Sequence, residues 1–150
     1  MTPALPPFRI VVIDSGYDSF CEEETVLGAI GARIEVFPGD RHDRRGKMEF
    51  ARGAPGMFVR WTEVDDEFLS ALPGLRAVVR YGVGYDNVDL AAATRHGVRV
   101  SNVQGYASHS VSDHALALIL ACARGLPLRA GPEDLRARYT APPSKHVPEL

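Results

Sequence analysis

The sequence predicts an α/β fold of the flavodoxin-like type, a doubly wound parallel sheet of about five strands with a long apolar C-terminal helix. Short apolar runs rich in β-branched residues alternate with segments of helical periodicity, which is the order expected of βα units. The predicted strand ends recur roughly every 20 to 24 residues, a spacing long enough for a helical crossover between parallel strands. These ends fall near Asp14, Phe37, Trp61, Tyr81 and Asn102.

The first third of the chain contains two clear strands and one clear helix. Residues 8–14 (FRIVVID) form an apolar run typical of a strand that is buried on both faces. Residues 22–30 begin with acidic residues and continue with apolar residues at helical spacing, and residues 33–37 (RIEVF) alternate as a strand does. Residues 40–55 are basic and contain glycine, so they are compatible with a frayed helix or a surface loop, with the charges forming a solvated face.

Three further strands and two further helices follow. The predicted strands cover residues 56–61, 75–80 and 98–101. The predicted helices cover residues 65–72, which begin with acidic residues and end before Pro-Gly, and residues 89–96, which are rich in alanine and end before glycine.

The last predicted helix differs in composition from the others. Ser110 is expected to cap it, with Asp113 at the capping-box offset. Residues 115–123 (ALALILACA) carry no charge, so this helix must be covered on every side, whereas a small single sheet covers only one face. We therefore expect residues 109–125 to contact a second domain or a second copy of the chain, and a homodimer is predicted.

Composition limits the class of protein. The 150 residues are enough for one domain, and the 45% hydrophobic and 24% charged fractions are those of an ordinary globular protein. We expect a domain over residues 1–127 and a proline- and arginine-rich tail over residues 128–150, extended or partly disordered, with one helical turn near residues 133–138. The formal net charge of −2, with both signs interspersed, argues against nucleic acid or a membrane surface as partner.

Location and metal content follow from the ends and the cysteines. Residues 1–7 lack the pattern of a secretory signal and no run is long enough to span a bilayer, so a cytoplasmic location is expected. Cys21 and Cys122 lie far apart, outside metal-ligand spacings, and are expected to be small buried apolar side chains. No metal site is predicted.

The strongest candidate for a ligand site is the turn Gly82-Val83-Gly84, which follows the fourth predicted strand. Two glycines around one residue allow successive backbone N–H groups to converge on an anion such as a carboxylate. The alternative is a tight strand-to-helix turn with no ligand. The turn is not a dinucleotide fingerprint, because Asn87 occupies the position of the third glycine.

Two polar side chains follow other predicted strands at the same edge. Arg60 is suited to bind a carboxylate through paired hydrogen bonds, and the alternative is a surface ion pair with Asp65 or Asp66. Asn102 is a second substrate-binding candidate, although a loop-fixing role through side-chain-to-backbone hydrogen bonds is favoured. His109 is interpreted as a cap or a surface residue, since neither a zinc spacing nor a GxSxG nucleophile is present.

Several segments together resemble the D-isomer-specific 2-hydroxyacid dehydrogenases, the family of D-3-phosphoglycerate dehydrogenase and the C-terminal-binding-protein corepressors. The central segment is RYGVGYDNVDL at residues 80–90, continued through residues 91–103. VSDHALAL at residues 111–118 resembles the interdomain helix of that family, and VRWT at residues 59–62 resembles its third-strand motif. The similarity extends over roughly residues 8–127 and is too long to be a chance match.

The resemblance implies a small 2-oxo or 2-hydroxy carboxylate as ligand. In that family the amides of the Gly-x-Gly turn bind the substrate carboxylate, which here are those of Val83 and Gly84, with Gly82 shaping the turn. A group after the third strand, here Arg60, often joins them. The middle residue, Val83, would also make an edge contact with the nicotinamide if a cofactor domain closed over it.

The resemblance also implies what this segment lacks. The Rossmann domain, which carries GxGxxG and the catalytic arginine, acid and histidine of the family, has no counterpart in the sequence, so no catalytic residue is predicted. NAD or NADP is the cofactor of the family, and none is expected for this chain alone. We expect the substrate-binding domain of an NAD(P)-dependent oxidoreductase, truncated or split and inactive alone. The alternative is a stand-alone carboxylate-binding sensor or oligomeric interaction module without redox activity.

Overall fold

A computed structural model describes residues 8–14 and 16–126 of the chain. Strands and helices alternate along it, which confirms an α/β fold with a five-stranded parallel sheet. The elements are β1 (Phe8–Val12), α1 (Cys21–Gly28), β2 (Ala32–Val36), α2 (Arg44–Ala51), β3 (Gly56–Val59), α3 (Asp66–Ser70), β4 (Ala77–Arg80), α4 (Leu90–Arg95), β5 (Arg99–Asn102) and α5 (Ser108–Ala123). The chain divides into two compact units, one up to Gln104 that contains the whole sheet and one from Gly105 onward.

The sheet has the strand order β2-β1-β3-β4-β5, and every neighbouring pair is parallel. This order is that of flavodoxin-like folds, in which the direction of winding reverses between β1 and β3. Because all five strands run the same way, their carboxyl ends lie at one edge of the sheet. Ligands of open α/β sheets bind at that edge, close to the reversal point.

The central strands are apolar because they are covered by other elements. Val11 of β1, Met57 and Val59 of β3 and Val78 of β4 are buried in one hydrophobic core. The other buried members of this core come from the helices, the loops and the ends of the strands: Ile13, Ala51, Ala54, Val64, Phe68, Leu69, Leu72, Leu75, Val88, Ala92, Ala93 and Val98. This packing anchors β1, β3 and β4, and thereby fixes where their carboxyl ends lie.

Helix α2 resolves the ambiguity of residues 40–55. Asp43 caps it, since its side chain accepts a hydrogen bond of 2.8 Å from the backbone amide of Gly46. The expectation of a solvated charged face is correct for Arg45, whose side chain is 90% exposed. It is wrong for Lys47, which is buried at 2% exposure. Lys47 points to the carboxyl edge of the sheet, where a buried carboxylate pairs with it.

Helix α5 begins earlier than predicted. Its first residue is Ser108, and the preceding Ala107 makes no side-chain capping bond. Ser110 therefore lies inside the first turn, and the predicted cap by Ser110 with Asp113 is wrong. The hydroxyl of Ser112 donates to the carbonyl of His109 over 2.9 Å, a bond inside the helix that satisfies none of the amides of the first turn.

The two cysteines differ from their predicted environment. Cys21 and Cys122 are both free and exposed, so the expectation that they are buried is wrong. The predicted tail at residues 128–150, with its helical turn near residues 133–138, lies outside the described residues. Within residues 8–14 and 16–126, no helix has both the length and the apolar character that a bilayer crossing requires.

Candidate functional site

Three of the predicted site segments lie side by side at the carboxyl edge of the sheet. In the strand register Val59 is opposite Arg80, and Arg80 is opposite Asn102. Neighbouring strands of a sheet are about 4.8 Å apart. The structure therefore brings Arg60, the turn from Gly82 and Asn102 to three adjacent strand ends.

The Gly82-Val83-Gly84 turn leaves two backbone donors free. Gly82 has a φ of +137°, a conformation that favours glycine, and its carbonyl accepts from the amide of Val103 over 3.1 Å. The amides of Val83 and Gly84 have no acceptor within the described part of the chain. Val83 is 48% exposed, so the turn is open to solvent. The two amides are thus available to an external anion.

Asn102 contacts this turn from the neighbouring strand. Its side-chain nitrogen donates to the carbonyl of Val83 over 2.6 Å. This bond directs the carbonyl of Val83 toward β5, which is the loop-fixing role that the sequence favoured. The assignment of Asn102 as a direct substrate contact stays a prediction.

Arg60 takes part in no ion pair with a described residue, so the alternative of a surface salt bridge does not apply. Its two expected partners are engaged elsewhere, Asp65 with Arg44 and Asp66 with Arg95. A guanidinium without a carboxylate partner keeps its full charge for an anionic ligand.

Two aromatic rings contact the Arg60 guanidinium. Its central carbon lies 4.9 Å from the ring centroid of Tyr17 and 4.5 Å from that of Trp61. Gly16 permits this approach, because a Cβ atom at position 16 would lie 2.7 Å from Arg60 Nη1. Arg60 is therefore placed by stacking, which leaves its hydrogen-bond donors largely free apart from a bond of 3.4 Å from Nη1 to the carbonyl of Gly16.

A second arginine at this edge was missed by the sequence interpretation. Arg80, the last residue of β4, folds its guanidinium against Gly82, so that a side chain at position 82 would collide with it. Its Nε is buried and has no hydrogen-bond partner among the described residues. The sequence signal for Arg80 was its position, because it ends a predicted strand and directly precedes the segment with the glycine turn.

A buried carboxylate at the end of β1 was also missed. Asp14 accepts hydrogen bonds at one oxygen from the amides of Arg60, Trp61 and Thr62, over 2.8, 2.7 and 2.8 Å. Its other oxygen accepts from Lys47 Nζ over 2.6 Å and from the Thr62 hydroxyl over 2.7 Å. The end of an apolar strand was a signal for Asp14, whereas nothing distinguished Lys47 from the other bases near it.

The hydrogen bonds decide the charge of Asp14. Burial by itself would raise the pKa of this carboxyl, because a low-dielectric environment disfavours the ionised form. The bonds from Lys47, from both the hydroxyl and the amide of Thr62 and from the amide of Arg60 outweigh it and lower the pKa from 3.8 to about 2. Asp14 is thus ionised at neutral pH, and Lys47 forms its ion pair.

Tyr81, between Arg80 and the glycine turn, is a neutral hydrogen-bond donor. Its ring stacks on Phe58 with centroids 4.9 Å apart, and its hydroxyl donates to Glu23 over 2.8 Å. Burial and the neighbouring Glu23 carboxylate both raise the pKa of Tyr81. Tyr81 therefore fixes the position of the strand end and does not exchange protons near neutral pH.

Two cavities border the edge. One of about 220 Å³ is partly lined by Trp61 and Thr62, and one of about 110 Å³ is partly lined by Tyr85, which follows the glycine turn. The first is lined by Arg41, His42, Arg44, Lys47, Trp61, Thr62 and Glu63, and the second by Tyr85, Leu90, Val100, Ser101 and Asn102. Both are open rather than enclosed, as expected of a surface that a ligand reaches directly from solvent.

The glycine turn does not fit the pyrophosphate of a dinucleotide. Asn87, at the position of the third fingerprint glycine, donates from its side chain to the carbonyl of Thr62 over 2.8 Å. Helix α4 begins only at Leu90, so no helix N-terminus follows the glycines directly to face a pyrophosphate. No group of metal-ligating side chains occurs in residues 8–14 and 16–126.

Comparison with known proteins identifies the family. Residues 17–141 match the sequence model of a protein family, the catalytic domain of the D-isomer specific 2-hydroxyacid dehydrogenases. The chain belongs to this family. That membership confirms the resemblance noted in the sequence.

Relatives of the dehydrogenase family also match the chain. A D-3-phosphoglycerate dehydrogenase of Mycobacterium bovis is 43% identical over 104 residues, which are 69% of this chain and 20% of the relative. The chain thus spans about a fifth of the length of that curated relative.

Solved structures show the same fold. The TT0316 protein of Thermus thermophilus matches with a TM-score of 0.69 and 29% identity, over 95% of this chain and 44% of that one. The NAD+-bound 3-phosphoglycerate dehydrogenase of Entamoeba histolytica matches with a TM-score of 0.67 and 22% identity, over 83% of this chain and 42% of that one.

Proposed function

We propose that this chain is the substrate-binding part of an NAD(P)-dependent D-2-hydroxyacid dehydrogenase and binds the carboxylate of a small 2-oxo or 2-hydroxy acid. The observation that carries the proposal is the pair of free amides at Val83 and Gly84. They lie at the same sheet edge as Arg60, whose guanidinium has no carboxylate partner among the described residues.

The proposed binding mode uses neutral and charged donors together. The amides of Val83 and Gly84 donate to one carboxylate, and the guanidinium of Arg60 adds a charge-assisted hydrogen bond. Asn102 supports the site indirectly, because its bond to the carbonyl of Val83 keeps that carbonyl turned toward β5. Arg80 adds positive charge next to Gly82.

We further propose that the chain binds the acid without oxidising it. Transfer of a hydride requires a nicotinamide next to the substrate carbon and a proton-transfer group opposite it. The glycine turn among the described residues lacks the features that bind a pyrophosphate. The cofactor of the family would therefore be bound by a separate nucleotide-binding domain. Val83 would then offer that cofactor an edge contact only.

The remaining expectations stay predictions that accompany this proposal. They are a cytoplasmic location, a homodimer or a nucleotide-binding domain at residues 109–125, and the alternative role as a carboxylate sensor. The sensor hypothesis and the dehydrogenase hypothesis assume the same acid-binding site. Only the dehydrogenase hypothesis predicts that an added nucleotide-binding domain of the family restores NADH oxidation.

Calorimetric titration tests the proposed site. The ligands are glyoxylate, D-lactate and D-3-phosphoglycerate, and the variants are Arg60→Ala and, as a matched control, Arg45→Ala, whose side chain is 90% exposed on α2. We expect Arg60→Ala to weaken binding about tenfold or more, since a charge-assisted bond is lost, and the control to have no effect. Absence of heat with all three acids, or binding that is unchanged by Arg60→Ala, would contradict the proposal.

A further inference from the structure

We infer that Asp14 is a positioning residue for Arg60, because its buried carboxylate sets the main-chain path of residues 60–62 from which the arginine side chain projects. The inference rests on the proposed function in one respect only, namely that Arg60 binds the acid. The placement of Arg60 itself is a claim about this chain without a ligand.

The residues that follow strand β3 need hydrogen-bond acceptors from outside the sheet. The strand ends at Val59, so the next three amides have no partner in the sheet. All three converge on one oxygen of Asp14, at distances between 2.7 and 2.8 Å. Successive amides that converge on one anion form a nest, and here the occupant is an internal side chain. The backbone direction at Arg60 therefore depends on the Asp14 carboxylate.

Lys47 compensates the charge of the Asp14 carboxylate. An unpaired carboxylate next to Arg60 would repel the carboxylate of an incoming acid and attract the guanidinium toward itself. Lys47 prevents both effects, since its Nζ lies 2.6 Å from Asp14 Oδ1 and the two side chains are 3% and 0% exposed. The Asp14–Lys47 pair thus orients the loop without cancelling the charge of Arg60.

The residue 60–62 segment also carries one of the two aromatic rings that contact Arg60. This ring belongs to Trp61, which lies within the nest-forming segment. The same indole ring is contacted from elsewhere by Arg41, whose central carbon lies 5.1 Å from its centroid. Rotation of the residue 60–62 backbone would move the guanidinium and this ring together, and would separate Arg60 from Tyr17.

The test compares Asp14→Asn with the matched control Asp18→Asn, which removes an exposed carboxylate with no partner in the described part of the chain. Amide hydrogen exchange needs no ligand. We expect Asp14→Asn to reduce protection at Arg60, Trp61 and Thr62 by about tenfold relative to core amides such as Met57, since charge-assisted bonds are lost. A uniform loss of protection across the core would show only a structural role and would overturn the inference.

Binding then tests whether Asp14 acts through Arg60. In a double-mutant cycle, Asp14→Asn should weaken acid binding about tenfold in the wild-type background and add nothing in the Arg60→Ala background. An equal effect in both backgrounds, or no effect in either, would overturn the inference. If the wild type binds no acid, the proposed function fails, and the exchange result alone decides the positioning of Arg60.

Thr62→Val serves if Asp14→Asn does not fold. It removes the hydroxyl that donates to Asp14 Oδ1 and accepts from Lys47 Nζ, and it leaves the charge and the three amides in place. We expect a smaller loss of protection confined to Arg60, Trp61 and Thr62. Unchanged protection at these three amides would contradict the inference. The fluorescence of Trp61, the single tryptophan, reports the same segment independently.

Discussion

Lys47 Nζ lies 2.6 Å from Asp14 Oδ1, and both side chains are buried at the carboxyl edge of the sheet. The pair connects helix α2 to the end of β1, and the remaining hydrogen bonds of Asp14 reach the end of β3. In a flavodoxin-like sheet β1 and β3 are the strands at which the winding reverses. A buried ion pair thus fixes the part of the sheet edge where this fold class binds its ligands.

The pH dependence of stability should report on Asp14. Its folded pKa of about 2 lies below the ordinary 3.8, so the unfolded chain takes up the proton first. The carboxylate therefore contributes its full stabilisation above about pH 5, and roughly 2 kcal/mol of it is lost as the pH falls toward 2. Denaturant unfolding at several pH values should show that the stability gap between the wild type and Asp14→Asn narrows in that window. A gap that stays constant from about pH 5 to about pH 2.5 would contradict this.

Lys47→Met should strongly destabilise the protein. Methionine keeps most of the apolar stem but leaves the Asp14 carboxylate without its cation, and breaking a buried pair in this way costs about 3–5 kcal/mol. The measurement is the free energy of unfolding in urea. Arg45→Met, on the exposed face of the same helix, is the control and should change it by less than about 0.5 kcal/mol. Similar values for the two variants would show that the buried pair contributes little.

Gly82→Ala and Gly84→Ala should differ although they lie two residues apart. At position 82 the φ of +137° and the adjacent Arg80 guanidinium both oppose a side chain. We expect Gly82→Ala to lose about 1–3 kcal/mol of stability and also to weaken acid binding, because the amide of Val83 is redirected. At position 84 a Cβ atom would meet only Asp86 Oδ2, at 3.5 Å, so Gly84→Ala should fold normally. Thermal unfolding of both variants checks the contrast, and equal stability would contradict it.

Helix α5 should mediate self-association if the homodimer prediction is correct. Leu116 and Ile119 are 57% and 63% exposed, and an apolar surface of this kind favours association. Sedimentation velocity at high micromolar concentration should show a dimer for the wild type and a monomer for Leu116→Lys with Ile119→Lys. His114→Lys, on an exposed position of the same helix, is the control and should stay dimeric. A wild type that is monomeric throughout would contradict the prediction.

Much of the fold could be predicted because it depends on local patterns. All five strands were expected within a few residues of their observed bounds, since each is a short apolar or alternating run bounded by glycine, proline or a polar residue. The errors lie where local signals compete. Residues 40–55 combine good helix formers with glycines and charges. At the start of α5, Ser110 has the residue type of a cap, but the helix begins at Ser108 without a side-chain cap.

The candidate site was predicted only in its outline. Arg60, the Gly82 turn and Asn102 were chosen because they follow strands, and parallel strands end at one edge. Lys47 could not be selected in this way, because a lysine among other bases looks the same whether it faces solvent or a carboxylate. Its burial depends on which face of α2 packs against the sheet, and that is a property of the assembled fold.

The sequence by itself determined the βα alternation, the parallel sheet and the glycine turn, because periodicity and backbone preference act over a few neighbouring residues. Only the tertiary structure decided that Asp14 meets Lys47 and the amide of Arg60, from which it is separated by 33 and 46 residues. The physical reason is that burying a carboxylate is unfavourable without converging donors. Those donors come from elements that are adjacent in space and distant along the chain.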